Sequence, residues 1–180
     1  MSARHSSLSI GALALAGATV FTPVAAARAA AAPAAASSPV APAISGAQVI
    51  ARAETWHPHT AQRIPYSQSA YHGGYRTDCS GYASMALGLA APGLNTVGLA
   101  SRSVSTPIAP GALVTGDLII DATGNSNTRH VVIFQKWTNP SHSAYWAYEQ
   151  RGGYGTDHRI LTYGLSAGSQ FHPYHPKVLR

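Results

Sequence analysis

The chain has 180 residues, 46% of them apolar and only 10% charged, and carries a formal charge of +6 at neutral pH. Its single cysteine excludes an intrachain disulfide. The basic residues are scattered, with no Lys/Arg cluster to mark a nucleic-acid groove, so the positive charge reads as attraction to a polyanionic surface such as a cell wall.

The N-terminus reads as a targeting segment. Arg4 gives a short positive start, Ile10 to Val24 is mostly apolar and small, and A-x-A patterns follow at Ala25 to Ala27 and Ala27 to Ala29. That is the layout of a secretory signal peptide over residues 1–29. The run falls short of the roughly 20 apolar residues of a membrane span, so the expectation is export without stable membrane insertion, to the outside or the cell wall. A retained signal anchor is the alternative reading. Loss of Arg4 and Arg28 with the leader lowers the charge to +4. Residues 30–53 begin with an Ala/Pro/Ser run that buries little, and read as a leader or linker. A helix is expected at its end, Ala47 to Glu54. One folded domain follows over 54–180, and no internal repeat is visible.

Pro65-Tyr66-Ser67 and His72-Gly73-Gly74-Tyr75 read as loop. Asp78 precedes Cys79, which opens a helix running to Leu89. Tyr82, Met85, Ala86 and Leu89 fall on one helical face, and Gly88, Pro92 and Gly93 weaken and then stop the helix. A lone cysteine allows three readings: a buried core thiol, an intermolecular bridge or a nucleophile. At a helix N-terminus the unpaired N–H groups and the local dipole favour a thiolate and can hold an oxyanion. The competing reading is that Asp78 or Ser80 merely caps a packing helix.

A nucleophile needs a base. Asn95 to Ala112 shows little periodicity and receives no element. Asp117 to Asp121 reads as a strand, Gly124 to Thr128 as a turn, and Val131 to Lys136 as the antiparallel partner strand. His130 stands at that strand's start, either as a base or as a solvated strand-end residue. Ala144 to Glu149 and His158 to Tyr163 read as further strands, with Arg151 to Gly155 as the turn between them. Glu149 is placed to orient His130, and Gln150 points to the opposite face, so only one of the two can serve. Glu149 pairing instead with Arg151 or Arg159 at the surface is the alternative. His5 leaves with the leader, His57, His59, His172 and His175 read as surface or packing residues, and the reach of His72 is left open. His57 and His59 flank Pro58 and lack a third ligand, so no metal or organic cofactor is expected.

These residues carry a resemblance to the NlpC/P60 family of papain-like cysteine hydrolases. Asp78-Cys79-Ser80-Gly81 opens a helix, Pro65-Tyr66 and Gly73-Gly74 resemble the approach to it, Gly116-Asp117-Leu118 resembles a strand signal, and His130-Val131-Val132-Ile133 resembles the catalytic-histidine strand. The resemblance spans about Ile64 to Tyr163. It implies an α+β fold in which a catalytic helix packs on an antiparallel sheet. It also implies that Cys79 is the nucleophile, His130 the base, Tyr66 a hydroxyl reaching the site, and Asp78 and Ser80 readers of a substrate's free amine. The implied activity is cleavage of amide bonds in bacterial cell-wall stem peptides by a monomer. The chain departs from the pattern in three places. Ser67 to Tyr71 lacks the usual tryptophan, Glu149 stands where a polar residue, often histidine, is usual, and Thr138 to Ser143 is inserted.

The residues leave other functions open. The same site suits deamidation or acyl transfer on a protein, in the manner of a toxin. The aromatic residues, Tyr66 and Trp146 among them, suit a non-enzymatic wall-binding cleft. A structural domain with Cys79 as core filler is the blandest reading.

Overall fold

Asp78 starts the central helix of the fold. In the computed structural model, which describes residues 43–180, its carboxylate accepts the Gly81 N–H at 2.6 Å and its backbone is extended, so the helix begins at Cys79. The signal peptide read over 1–29, and residues 30–42 of the stretch read as leader, lie outside the described residues.

The helices are α1 (Gly46–Glu54), α2 (Cys79–Leu87) and α3 (Thr96–Leu99). A short hairpin, β1 (Tyr71–His72) and β2 (Tyr75–Arg76), precedes α2. Six further strands follow: β3 (Ser105–Pro107), β4 (Leu118–Asp121), β5 (His130–Trp137), β6 (Tyr145–Arg151), β7 (Gly155–Leu161) and β8 (His172–Pro176). They form one sheet in the order β3-β8-β4-β5-β6-β7, with every neighbouring pair antiparallel. The α+β class is as expected.

Alternation along the strands divides the core in two. Leu118, Ile120, Val131, Ile133 and Tyr148 pack with α1 and α2, whereas Ile119, Val132, Phe134, Tyr145 and Ala147 face the other way. Ile108, Leu113, Tyr163 and Phe171 cover that second face. Helix α2 packs against α1, β2, β5 and β6.

Several expectations change. The helix at Ala47 to Glu54 is present from Gly46, capped by Ser45 and Gln48 in a reciprocal capping box. Val49, Ile50 and Ala53 are buried in the main core, so the folded unit starts upstream of residue 54. Helix α2 is not buried on one face alone, because eight of its nine residues are buried. Gly81, Ala83, Ser84 and Ala86 are small enough to let neighbours approach from every side. It ends at Gly88, whose φ of 68° is left-handed and suits glycine. Strand β7 begins at Gly155 rather than His158, directly after a tight turn. The segment from Asn95 to Ala112 holds α3, β3 and a 3₁₀ turn at Pro110–Ala112.

No helix among the described residues is long and apolar enough to cross a membrane.

The approach of β2 to α2 leaves no room at Gly81, where an added Cβ would lie 2.1 Å from the Arg76 carbonyl oxygen. Both sides of that contact are backbone, so no rotamer relieves it. Gly81→Ala is expected to destabilise the fold by about 1–3 kcal/mol, measured as a lower urea midpoint with an unchanged m-value.

Candidate active site

The entry to α2 is tied from three directions. Asp78 Oδ1 accepts from the Gly81 N–H and from the Ser80 hydroxyl at 2.9 Å, and Oδ2 accepts from Arg76 Nε at 2.9 Å. Arg76 also donates to the carbonyls of Gly93 and Leu94, both at 2.8 Å. Its guanidinium therefore joins the helix start to the loop that follows the helix. The Gly81 and Tyr82 N–H groups go to Asp78, leaving those of Cys79 and Ser80 without a partner among the described residues. Cys79 is 6% exposed and opens onto a cavity of about 600 Å³ shared with Tyr66, Arg76, Asp78, Ser80 and Arg129.

The sheet delivers the histidine. His130 begins β5 opposite Asp121 on β4. Glu149, on the neighbouring strand β6, pairs with Val132, so it shares a sheet face with His130 and lies diagonally from it. The Glu149 carboxylate is 1% exposed and meets His130 Nε2 at 2.8 Å. Its other oxygen accepts from Arg159, which lies diagonally across on β7. The alternative that Glu149 pairs with Arg159 instead of His130, at the surface, is replaced by a buried carboxylate holding both. Edge contacts from Tyr163 and Phe171, which stack on each other 4.4 Å apart, brace the imidazole.

With Nε2 committed to Glu149, Nδ1 is the nitrogen left for the thiol. Cys79 lies near enough to the ring to favour its protonated form. Burial pulls the His130 pKa down, but hydrogen bonding and charge from Cys79 and Glu149 reverse this and raise it to about 9. Burial alone would raise the Glu149 pKa, and its contacts with His130 and Arg159 instead hold it below the usual 4.5. His130 therefore holds its second ring proton through neutral pH.

Tyr66 lies in the same cleft. Burial pushes its hydroxyl pKa above 10.0, and the nearby Cys79 and Asp78 push in the same direction, so it stays a proton donor. Gln150 faces away from His130 but has a positioning role. Its Nε2 donates to the carbonyls of Ile64 and Pro65 at 3.1 and 3.2 Å, fixing the chain just before Tyr66. Gln68 bridges to the Ser126 carbonyl and Asn127 Oδ1 at 3.0 and 3.1 Å, joining the Tyr66 loop to the β4–β5 turn.

All six residues singled out from the sequence are therefore brought to one cleft: Cys79, Asp78, Ser80 and Tyr66 around the first cavity, Tyr66, His130 and Glu149 around a second of about 390 Å³. Tyr66, Gln68 and Arg129 line both cavities. Arg76, Arg129, Arg159 and Gln68 had no motif to reveal them. Arg159 alone carried a weak signal, its spacing from Glu149 across a predicted turn.

Other candidates lie elsewhere. His59 pairs with Asp157, His175 with Asp117, and His72 packs edge-on against Trp56. No cluster of three or more metal-ligating side chains occurs among the described residues.

Comparison of the chain with family models, curated proteins and solved structures finds no match in any of the three.

The carboxylate of Glu149 sets the His130 titration, which two measurements check. Glu149→Gln keeps the shape but removes the charge, and the His130 midpoint followed by NMR is expected to fall from about 9 by roughly one to three pH units. The folded value of His130 lies above its ordinary 6.5, so its contribution to stability is complete below about 6.5 and is lost as pH rises through about 9. The Glu149 contribution has the opposite sign. It is present above the ordinary 4.5 and is lost as the pH falls through the lower folded value. Urea midpoints of the wild type should decline above pH 6.5, and more steeply than those of Glu149→Gln.

Proposed function

We propose that the chain is a secreted thiol hydrolase of the NlpC/P60 kind, with a papain-like arrangement of catalytic groups, that cleaves amide bonds in cell-wall stem peptides. The observation that carries this reading is the convergence in one cleft of Cys79 at a helix start, His130 within interaction range of it, and the buried Glu149 on the far side of the imidazole. Core filler does not need an oriented imidazole, and a wall-binding cleft does not need a thiol beside one.

In this mechanism the Cys79 thiolate attacks the amide carbonyl and forms a C–S bond. The Cys79 N–H and the Tyr66 hydroxyl stabilise the oxyanion. As the C–N bond breaks, His130 Nδ1 gives its proton to the leaving amine. The neutral imidazole then takes a proton from water, which attacks the thioester. The acid product leaves, and thiolate and imidazolium are restored. Glu149 keeps Nε2–H fixed as a donor throughout, so the same nitrogen faces the substrate at every step. The wall as target rests on the positive charge, the leader-like N-terminus and the motif resemblance.

The test is a digest of purified cell wall, read by mass spectrometry of released peptides. Wild type is expected to produce defined new termini. Cys79→Ala and His130→Ala should each lower the rate by at least about 10³-fold, and Glu149→Gln by less. Absence of products from the wild type, with Cys79 slow to alkylate in the folded state, would remove the hydrolase reading.

A further inference from the structure

Arg129 is the charged residue of the cleft without a counter-charge. It precedes His130, lines both cavities, and makes no side-chain hydrogen bond among the described residues, and its Nε is buried. Of the two carboxylates in the cleft, Asp78 is taken by Arg76, Ser80 and Gly81, and Glu149 by His130 and Arg159. The chain's other four carboxylates line neither cavity. A buried, unpaired guanidinium N–H is costly unless a ligand completes it.

A free α-amine approaching Asp78 meets a carboxylate whose charge is already matched by Arg76 and whose two oxygens already accept three hydrogen bonds. Arg76 itself is spent on Asp78, Gly93 and Leu94, so it holds the helix start in place. Arg129 is left with its planar fork of donors, which matches a carboxylate in two parallel hydrogen bonds.

We propose that Arg129 binds a carboxylate of the substrate, so that the cleft selects peptides with a free carboxylate close to the cleaved amide rather than peptides with a free α-amine. This rests on the cleft being the substrate site of a thiol hydrolase, and it adds the charge of the group recognised there. Arg129 is then a specificity residue, distinct from the groups that make and break bonds.

The first test needs no substrate. Cys79 is the only cysteine, so alkylation reports on this cleft alone. The rates with iodoacetate, an anion, and iodoacetamide, its neutral analogue, are compared as a ratio within each variant, which cancels differences in thiol reactivity. Arg129→Gln is expected to lower the iodoacetate-to-iodoacetamide ratio about tenfold, and Arg129→Lys to give an intermediate value. An unchanged ratio in Arg129→Gln, or no alkylation of folded wild type by either reagent, would overturn the proposal. The second test uses pairs of wall peptides that differ only in a carboxylate or carboxamide next to the cleaved bond. Wild type should favour the acid, and Arg129→Gln should lose that preference through KM. Equal cleavage of both members by the wild type would also overturn it. Failure of every peptide and of whole wall to react would count against hydrolysis, while the alkylation ratio would still decide on Arg129.

Discussion

The carboxylate of Asp78 is the contact on which the site depends. One oxygen caps α2 through Gly81 and holds the Ser80 hydroxyl, and the other anchors Arg76, which grips the Gly93–Leu94 loop. A cap of this kind contributes about 1 kcal/mol by itself, which is small. Its importance is positional, because it fixes the residue at which the helix begins. A start one residue later would rotate Cys79 by about 100° around the helix axis and remove it from the cleft. The missing side chain of Gly81 lets the same turn rest on the Arg76 carbonyl, so cap, ion pair and close approach all fix one start point.

A second constraint is the small number of acidic residues. Six carboxylates serve twelve Lys and Arg residues and nine histidines. Glu149 and Asp157, both 1% exposed, each hold more than one basic partner. A carboxylate buried this deeply stays ionised only when its partners outweigh the loss of hydration. Glu149 achieves this by standing on the strand between His130 and Arg159, with one cation reached diagonally on either side.

Much of the site was legible in the sequence because strand periodicity and local motifs carry it. Asp78 before Cys79 signals a helix start, and the alternation of Glu149 and Gln150 separates the residue facing His130 from the one facing away. The role of Gln150 was not legible, because the carbonyls it holds lie about 85 residues upstream. Asp78 and Ser80 were placed in the cleft by their motif, but Arg76, which occupies Asp78, belongs to no pattern. In the fold, β8 was hidden by Pro173 and Pro176, which lower the strand signal although β8 pairs with both β3 and β4. Helix α1 was expected, but the alanine-rich run before it made it read as the end of a linker, although Val49, Ile50 and Ala53 belong to the core.

Glu149 and Gln150 are consecutive residues of one strand, yet one orients His130 and the other holds the chain before Tyr66. His130 and Tyr66 are therefore referenced to a single rigid datum. A sideways shift of β6 carries both in the same direction and leaves their separation almost unchanged, as common-mode motion does in an instrument. Cys79 is mounted on α2, outside that datum. The tolerance of the site is consequently set at one joint, the seam where α2 packs on β5 and β6.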